Sequence, residues 1–304
     1  MILINEPLDF PEDSVTSLEN LGPVFMNGSI YDPDEIKIIF IRLDFKIDAS
    51  FLDRFKSLKC VVSPTTGLTH LDLRELKKRN IKIISLKGRV DFLNNIYATA
   101  EHTLALTLAL LRRLPQAVKS VEVGSWKRYP FKGEEINGRN VFLIGYGRVG
   151  RQVDKLFEAF GAKVMAFDSD DSVVPLNKKV TLENGLKTAQ IISVHISHSE
   201  QNVGFLSKEL LDHVSPKAIL INTSRGEIID QQALFTYLRT GKIAGAALDV
   251  LCDEPTPIDD IVTDSISSLG GRLLITPHLA GFTVESLKKV ERYVSRLLID
   301  EWCA

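Results

Sequence analysis

Short apolar segments alternate with longer amphipathic segments along most of the chain. In the first third, segments of four or five residues with apolar centres predict buried strands at residues 1–5, 37–41, 59–63 and 82–85. The segments between them carry apolar residues at helical spacing and predict helices at residues 11–21, 49–57 and 71–79. Strands that alternate with helices are typical of a parallel sheet covered by helices.

The same alternation starts again after an irregular stretch and a long helix, which is predicted at residues 99–121 and is strongly apolar on one side. Further strands are predicted at residues 141–144, 163–167, 191–196, 218–222, 244–250 and 273–276. Residues 284–302 predict one amphipathic helix. We therefore expect an α/β protein with two Rossmann-like domains, each built on a doubly wound parallel sheet.

A glycine motif, Gly145-Tyr-Gly-Arg-Val-Gly150, stands between the strand at 141–144 and the helix that begins near residue 152. In this context, backbone N–H groups and the start of a helix can hold a pyrophosphate. Gly145 is expected to permit the tight turn and Gly147 to let the backbone approach the phosphates. Gly150 is expected to let the helix pack closely on the sheet.

An aspartate, Asp168, ends the next predicted strand, about 20 residues after the glycines, where it can accept hydrogen bonds from a ribose diol. The residues that follow it are Ser169, Asp170 and Asp171, and the added carboxylates would repel a 2′-phosphate. These features predict NAD, rather than NADP, as the cofactor. The alternative is an ordinary α/β turn whose glycines are incidental, and the same features make this interpretation the weaker one.

Three loops of the second series carry side chains suited to chemistry, namely Arg225, Glu254 and His278. Each loop follows a strand, and doubly wound sheets bind ligands beyond the carboxyl ends of their strands. A guanidinium can hold a carboxylate in a bidentate arrangement, and a histidine can exchange a proton near neutral pH. A glutamate bonded to the far ring nitrogen would favour the protonated imidazole. This set suits hydride transfer between NADH and a 2-keto acid, with His278 as general acid/base paired to Glu254 and Arg225 binding the substrate.

A protein that only senses NAD(H), such as a corepressor that keeps the fold without turnover, is the alternative function. Such a protein has no need of an acid–base histidine paired with a glutamate, so the three side chains favour an NAD-dependent oxidoreductase. Each side chain also has a structural alternative. Arg225 could form a structural ion pair, Glu254 could belong to a turn, and His278 could be a hydrogen-bonded loop residue.

Composition narrows the class of protein further. The chain has 304 residues, which is enough for two domains, and its formal net charge of −2 gives no reason to expect nucleic acid or an anionic membrane as a partner. No apolar stretch reaches the length of a membrane span. Three widely spaced cysteines, Cys60, Cys252 and Cys303, favour a reducing cytoplasm. No metal site is expected, because His195 and His198 follow a strand without a supporting cluster of cysteines or carboxylates.

With these residues in place, the chain resembles the D-isomer-specific 2-hydroxyacid dehydrogenase family, which includes phosphoglycerate dehydrogenases and glyoxylate/hydroxypyruvate reductases. The resemblance covers nearly the whole chain. The motifs that carry it are residues 64–72, 98–103, 110–115, 124–126, 145–150, 222–226, 249–255 and 276–281. It implies that Arg225, Glu254 and His278 are catalytic and that the substrate is a D-2-hydroxy acid of the phosphoglycerate or hydroxypyruvate/glyoxylate type.

The resemblance also implies which residues bind the ligands. The cofactor-binding residues are Gly145, Gly147, Arg148, Val149, Gly150, Asp168, Thr223, Ser224 and Asp249. The substrate-binding residues are Arg42, Thr66, Gly67 and Arg225. Among them, Asp249 is expected to approach the nicotinamide amide. The amides around Thr66 and Gly67 are expected to receive the substrate carboxylate, and Arg42 to face its distal group.

The domain organisation implied by the family is an insertion. Residues 98–281 would form an NAD-binding Rossmann domain, inserted into a discontinuous substrate domain of residues 1–97 and 282–304. The family also implies a homodimer joined through the helix region at residues 99–121.

Two segments depart from the family pattern. Ser197 stands where the family usually has a proline, which affects the loop shape rather than the chemistry. Residues 86–95 form a longer and more charged segment than usual. Within it, Lys87 or Arg89 could face a phosphate or a larger acid, and the alternative is a solvated loop with ordinary surface charges.

Overall fold

The computed structural model of the protein describes residues 1–252, 254 and 260–302. Of the positions discussed above, Cys303 and residues 253 and 255 of the 249–255 motif lie outside the described residues. The chain divides into two compact units. Unit 1 consists of Met1–Ile96 and Phe282–Ala304, and unit 2 is Tyr97–Gly281.

Unit 1 is built on a five-stranded parallel sheet with the strand order β2-β1-β3-β4-β5. Its strands are β1 (Ile2–Ile4), β2 (Val24–Met26), β3 (Ile38–Phe40), β4 (Cys60–Ser63) and β5 (Lys82–Ser85). Its helices are α1 (Glu12–Glu19), α2 (Ala49–Leu52), α3 (Leu73–Lys78), α4 (Val90–Leu93) and α12 (Val284–Trp302). The pattern did not predict β2, because this edge strand is only three residues long and half-buried throughout.

Alternate residues of these strands pack on opposite faces of the sheet. Ile4 and Ile38 belong to one apolar cluster, which also contains Val294 of α12. Leu3 and Ile39 belong to another cluster on the other face. The last helix therefore completes the core of unit 1, where full burial of one aliphatic side chain contributes about 1.5–3 kcal/mol.

Unit 2 is built on a six-stranded parallel sheet with the strand order β11-β10-β9-β8-β6-β7. Its strands are β6 (Asn140–Ile144), β7 (Lys163–Phe167), β8 (Ile191–Val194), β9 (Ile219–Asn222), β10 (Gly245–Leu248) and β11 (Leu273–Ile275). Its helices are α5 (Ala98–Leu111), α6 (Leu114–Glu122), α7 (Arg148–Ala159), α8 (Leu182–Thr188), α9 (Lys208–Leu211), α10 (Gln231–Thr240) and α11 (Asp260–Ser268). The predicted fold class, an α/β protein with two parallel sheets, is confirmed.

The long helix predicted at residues 99–121 is wrong in one respect, because the structure divides it into α5 and α6. Arg113 between them adopts a left-handed backbone with φ +52°. Pro115 stands in the first turn of α6. A proline has no N–H to continue the hydrogen-bond ladder, and its ring clashes with the preceding turn, so the helix has to restart at this point.

Two other predicted elements differ in extent. The helix predicted at residues 49–57 is only the single turn α2, although Phe55 and Leu58 beyond it are buried as expected. Apolar spacing alone does not distinguish a helix from a series of turns that buries the same side chains. The irregular segment at 86–95 contains the short helix α4.

The strand order determines where each sheet can bind a ligand. In both units the second strand in sequence lies outside the first, and the third lies on the opposite side of the first. The connections therefore diverge between β1 and β3 and between β6 and β8. In doubly wound sheets the ligand crevice forms at this divergence, beyond the carboxyl ends of the strands.

Unit 1 carries a buried charge cluster at the carboxyl ends of its strands. The Arg42 guanidinium donates to Oε1 of Glu291 through Nε, at 2.7 Å, and through Nη2. The same Nη2 also donates to the Leu8 carbonyl at 2.7 Å. Glu6 accepts hydrogen bonds from the backbone N–H groups of Arg42 and Asp44. Glu291 therefore binds the guanidinium of Arg42, whereas Glu6 binds the backbone of the loop that carries it.

The buried carboxyl of Glu291 makes the stability of unit 1 depend on pH. Burial raises the pKa of Glu291 to about 7. The nearby carboxylates of Glu6 and Asp9 also raise this pKa, whereas the charge of Arg42 lowers it. The folded state therefore binds a proton that the unfolded state releases near its ordinary pKa of about 4.3. The free energy of unfolding due to this group falls as the pH rises from about 4.3 to about 7.

We expect Glu291→Gln to remove this contribution to the pH dependence. Chemical denaturation between pH 4 and 8 measures the free energy of unfolding of the wild type and of the variant. The difference between their pH curves gives the contribution of Glu291. Glu285→Gln, at an exposed position of the same helix, is the control and should follow the wild type. A difference between wild type and Glu291→Gln that stays constant over this range would contradict the expectation.

Candidate active site

His278 lies on the loop after β11, in a backbone conformation that few side chains adopt. Its φ is +54°, in the left-handed region. Its N–H donates to the carbonyl oxygens of Asp249 at 2.8 Å and Thr276 at 2.9 Å. The loop is thus folded tightly against the end of β10, and strained backbone of this kind is concentrated at functional sites.

The buried carboxylate of Asp249 holds this loop in place. Its Oδ1 accepts hydrogen bonds from the Thr276 hydroxyl at 2.6 Å and the Leu279 N–H at 2.8 Å. Its Oδ2 accepts one from the Ala280 N–H at 2.8 Å. His102 on α5 also lies against it, with Nε2 3.2 Å from Oδ1. Asp249 therefore connects both sides of His278 to the sheet.

These contacts keep Asp249 ionised inside the protein. Burial alone would raise the pKa of this carboxyl, but hydrogen bonds from His102, Thr276 and the two amides outweigh burial and lower the pKa. Both carboxylate oxygens already accept hydrogen bonds within the protein. A contact between Asp249 and the nicotinamide amide stays a prediction, while the role visible in the structure is to hold the His278 loop.

The imidazole of His278 is paired with Glu254. Its Nδ1 lies 2.6 Å from Oε2 of Glu254, and the same carboxylate accepts a hydrogen bond from the Leu251 N–H. Both side chains are partly exposed, at 22% and 31%. With Nδ1 directed at a carboxylate, Nε2 is the ring atom that can exchange a proton with a ligand.

Arg225 follows β9 on a loop that Asn222 fixes. The Asn222 Nδ2 donates to the Arg225 carbonyl at 2.8 Å, and its Oδ1 accepts hydrogen bonds from the N–H and hydroxyl of Ser224. The guanidinium of Arg225 donates to the Ser224 carbonyl through Nη1 at 2.6 Å, and its Nε is buried. The side chain is thus held by the loop that precedes it.

The three loops pack against one another. A Cβ atom at Gly226 would overlap the backbone of Leu251 and Cys252, so the loop after β9 touches the loop after β10 without room for a side chain. Burial lowers the pKa of Arg225, while the carboxylates of Glu227, Glu254 and Asp249 act in the opposite direction. The structure therefore brings Arg225, Glu254 and His278 into one region of unit 2.

The glycine turn has the geometry expected of a phosphate-binding turn. Gly145 has φ +99°, and a Cβ there would lie 2.7 Å from the backbone of His195. A Cβ at Gly150 would overlap the Gly145 carbonyl, whereas a Cβ at Gly147 would meet no atom within 4 Å. The backbone at Gly147 is thus open to a ligand at the start of α7, where N–H groups favour an anion.

Asp168 lies beside this turn. Its Oδ2 accepts a hydrogen bond from the Tyr146 N–H at 2.7 Å, and its Oδ1 accepts one from the Asp170 N–H at 3.0 Å. A carboxylate can accept about four hydrogen bonds, so capacity for a ribose diol is left. Open backbone at Gly147 and an oriented acid at Asp168 fit the adenosine diphosphate half of NAD.

The other residues predicted for the cofactor have contacts within unit 2. The Thr223 hydroxyl lies 2.8 Å from the Thr103 hydroxyl of α5, and the Ser224 hydroxyl is bonded to Asn222. Arg148 is half-buried, which lowers its pKa, and Val149 packs against an apolar cluster. Their contact with the cofactor stays a prediction.

The substrate-binding residues predicted in unit 1 lie on two loops. In the loop that follows β4, the Thr65 hydroxyl donates to the Gly67 carbonyl at 2.8 Å and lies 2.8 Å from the Ser63 hydroxyl, and the Thr66 side chain is exposed. Arg42 lies in the buried charge cluster with Glu291 described above. Of the basic residues in the 86–95 segment, Arg89 pairs with Glu301 of α12 at 3.3 Å.

The remaining histidines differ from His278 in their surroundings. Burial lowers the pKa of His195 to about 3, so this ring is neutral at ordinary pH and is hydrogen-bonded to Ser193. His70 lies 3.2 Å from the Ser63 hydroxyl. Within the part of the chain that the structure describes, no three histidine, cysteine or acidic side chains cluster as metal ligands would.

Several residues of the site were not predicted from the sequence. Asn222 holds the loop of Arg225, and Thr276 holds the loop of His278. Both residues belong to motifs in which only other members were predicted to have a function. Asp154 is a buried acid on α7 that pairs with Lys178. The sequence contained one signal for this pair. Asp154 stands at a helix position that should face the sheet, and a buried charge requires a partner.

Comparison with known proteins identifies the family. Residues 104–280 match the profile of the D-isomer specific 2-hydroxyacid dehydrogenase, NAD binding domain. This match spans more than half of the chain, and the protein therefore belongs to the D-isomer specific 2-hydroxyacid dehydrogenase family, as the sequence motifs predicted. NAD is confirmed as the cofactor type of this domain.

Two relatives and one solved structure illustrate the similarity. The chain is 30% identical to a D-3-phosphoglycerate dehydrogenase of Archaeoglobus fulgidus, over 98% of this chain and 56% of that protein. It is also 30% identical to a glyoxylate reductase of Thermofilum pendens, over 98% of this chain and 84% of that protein. An acyclic imino acid reductase in complex with NADPH and D-Arg has a TM-score of 0.79 at 25% identity, covering 100% of this chain and 97% of that chain. The chain thus spans about half the length of the phosphoglycerate dehydrogenase and most of the reductases.

We expect Asp168→Ala to weaken the preference for NADH over NADPH. The change removes a carboxylate that can bind the ribose diol and that repels a 2′-phosphate. Titration of both cofactors into wild type and variant measures the ratio of the two dissociation constants. Asp212→Ala, at an exposed aspartate of the same unit, should leave the ratio unchanged. A wild type that prefers NADPH would refute the argument from the ribose.

Proposed function

We propose that the protein is an NAD-dependent dehydrogenase that interconverts a D-2-hydroxy acid and its 2-keto acid. The observation that supports this most is the 2.6 Å contact between His278 Nδ1 and Glu254, on a loop that Asp249 fixes beside Arg225. An imidazole oriented by a carboxylate next to a buried guanidinium is an acid–base group beside an anion site. A protein that only binds the cofactor gains nothing from that arrangement.

The proposed chemistry assigns one role to each side chain. The glycine turn and Asp168 would hold NADH, and the cofactor would supply a hydride to the keto carbon. Arg225 binds the substrate carboxylate and directs the keto group towards the imidazole. His278 donates the proton from Nε2 to the oxygen that the reduction leaves negatively charged, and Glu254 stabilises the protonated ring through Nδ1. In the reverse direction, His278 takes the hydroxyl proton.

Unit 1 favours a substrate without a phosphate. The guanidinium of Arg42 is bound by Glu291 of α12, and Glu6 accepts a hydrogen bond from the Arg42 backbone N–H. Arg89 is paired with Glu301. A phosphate needs cationic donors that are not already engaged by carboxylates. Of the three basic residues named for this region, Arg42 and Arg89 are engaged by carboxylates, and Lys87 is exposed and has no described carboxylate partner. Since a single exposed lysine is a weak phosphate site, we favour small acids of the hydroxypyruvate and glyoxylate type over phosphohydroxypyruvate.

Oxidation of NADH with a panel of keto acids tests the proposal. Glyoxylate, hydroxypyruvate, pyruvate and phosphohydroxypyruvate are compared by kcat/KM. We expect turnover, with higher kcat/KM for hydroxypyruvate or glyoxylate than for phosphohydroxypyruvate. No turnover on any of them, combined with measurable NAD binding, would instead support an NAD sensor or corepressor. Preference for the phosphorylated acid would overturn the substrate argument alone.

We expect His278→Ala to lower kcat by roughly 10²–10⁴, because the general acid is lost. NADH binding should persist, since no described contact joins this side chain to the glycine turn. Stopped-flow absorbance and cofactor fluorescence measure the two quantities separately. His213→Ala, at an exposed position of unit 2, is the control and should retain kcat. A rate near that of the wild type in His278→Ala would remove the assigned acid.

The proposed enzyme is a homodimer of the cytoplasm. On and after α6, apolar side chains are exposed in one short stretch, including Val118, Val121, Val123 and Trp126. Contiguous exposed apolar surface of this kind favours an interface with another chain. None of the helices in the described residues is long and apolar enough to cross a membrane. Light scattering of the purified protein measures the oligomer, and a monomeric mass would contradict the proposed dimer.

A further inference from the structure

A buried polar cluster lies next to the glycine turn of unit 2. Tyr146, between the first two glycines, is buried, and its hydroxyl donates to Oδ2 of Asp154 on α7. Lys178 Nζ binds both oxygens of the same carboxylate, at 2.7 and 2.6 Å. Lys178 also pairs with the more exposed Glu158 at 2.7 Å. A charged side chain on the core face of α7 is thereby compensated by a cation and a hydroxyl.

This cluster connects three elements of the chain. Lys178 is fixed to β7 by its backbone, because the Ala166 N–H donates to the Lys178 carbonyl at 2.8 Å. The Val180 N–H donates back to the Ala166 carbonyl at 3.1 Å. Ala166 stands two residues before Asp168. The side chain of Lys178 therefore joins the strand that carries Asp168 to helix α7, and Asp154 joins that helix to the glycine turn.

The backbone of Tyr146 closes the connection. Its N–H donates to Oδ2 of Asp168 at 2.7 Å, and the Gly145 N–H donates to the Phe167 carbonyl at 2.8 Å. A rotation of the turn about Tyr146 would break its bond with Asp154 and change the orientation of the Asp168 carboxylate. Burial and the bond to Asp154 raise the pKa of Tyr146 above its ordinary value, so the hydroxyl stays protonated and can donate to Asp154.

We propose that Tyr146, Asp154 and Lys178 are positioning residues for the adenosine diphosphate half of the cofactor. They hold the glycine turn and Asp168 in the geometry that binds pyrophosphate and ribose before the cofactor arrives. Groups that are ordered in advance lose less entropy on binding, so the ligand is bound more tightly. The proposal rests on the cofactor-binding part of the proposed function and is independent of which acid is the substrate.

Calorimetric titration of ADP into Tyr146→Phe tests the proposal without any turnover. We expect the dissociation constant of ADP to rise roughly three- to tenfold, since part of the free energy of a hydrogen bond to a carboxylate is transferred to binding. The KM for NADH should rise by a similar factor, while kcat at saturating NADH stays within about twofold, because the acid–base groups are untouched. Lys178→Met should weaken ADP as well, and Lys178→Arg, which keeps the charge, should retain most of the affinity.

The chain contains a matched control cluster. In unit 2, the Tyr237 hydroxyl of α10 donates to Asp212 at 2.6 Å, and Lys242 pairs with the same carboxylate. Tyr237→Phe removes the same kind of hydrogen bond but has no described contact with the glycine turn. We expect it to leave ADP affinity unchanged.

Two outcomes would overturn the proposal. The first is a Tyr146→Phe variant that binds ADP within twofold of the wild type. The second is a Tyr237→Phe variant that loses as much affinity, since the effect would then follow from general loss of stability. Because ADP binding requires no keto acid, a protein that binds ADP as expected but turns over no substrate would refute the dehydrogenase proposal and leave this one standing.

Discussion

The buried carboxylate of Asp249 is the contact on which the geometry of the candidate active site depends. Four donors from the His278 loop and from α5 surround it, and their hydrogen bonds keep it charged although burial opposes this. Loss of the carboxylate would leave the N–H groups of Leu279 and Ala280 without their acceptor. An unsatisfied buried donor costs about 1–3 kcal/mol. The position of the imidazole is therefore determined by a residue that carries out no proton transfer itself.

Much of the fold and of the site was predictable from local sequence. Alternating apolar and amphipathic segments predicted both parallel sheets, because strand burial and helix spacing leave different periods in the chain. Asp72 accepts hydrogen bonds from the N–H groups of Arg74 and Glu75 at the start of α3, and an aspartate at this position is a common local signal for the start of a helix. Arg225, Glu254 and His278 were predictable because parallel strands direct the loops at their carboxyl ends towards one edge of the sheet.

The features that were missed depend on contacts between residues far apart in sequence. Nothing near Arg42 indicates that Glu291, 249 positions later, takes up its guanidinium. The bond between Tyr146 and Asp154 is similarly invisible to a motif that records only the glycines. The helix break at Arg113 was missed for a different reason. Pro115 is a local signal for a new helix start, but the continuous apolar pattern predicted one helix. Local sequence thus indicates where the functional groups lie, whereas their partners depend on contacts between distant residues.

The left-handed backbone at His278 limits how this loop can evolve. Asparagine, aspartate and histidine are enriched in this conformation, glycine adopts it freely, and β-branched residues are strongly disfavoured. If the proton donor were not needed, glycine or asparagine would be the easiest replacement at this position. Glycine relieves the torsional strain, and asparagine tolerates it. Valine, isoleucine or threonine at this position would instead require the loop to refold. Histidine therefore tolerates this torsion at a conformational cost that glycine would not have.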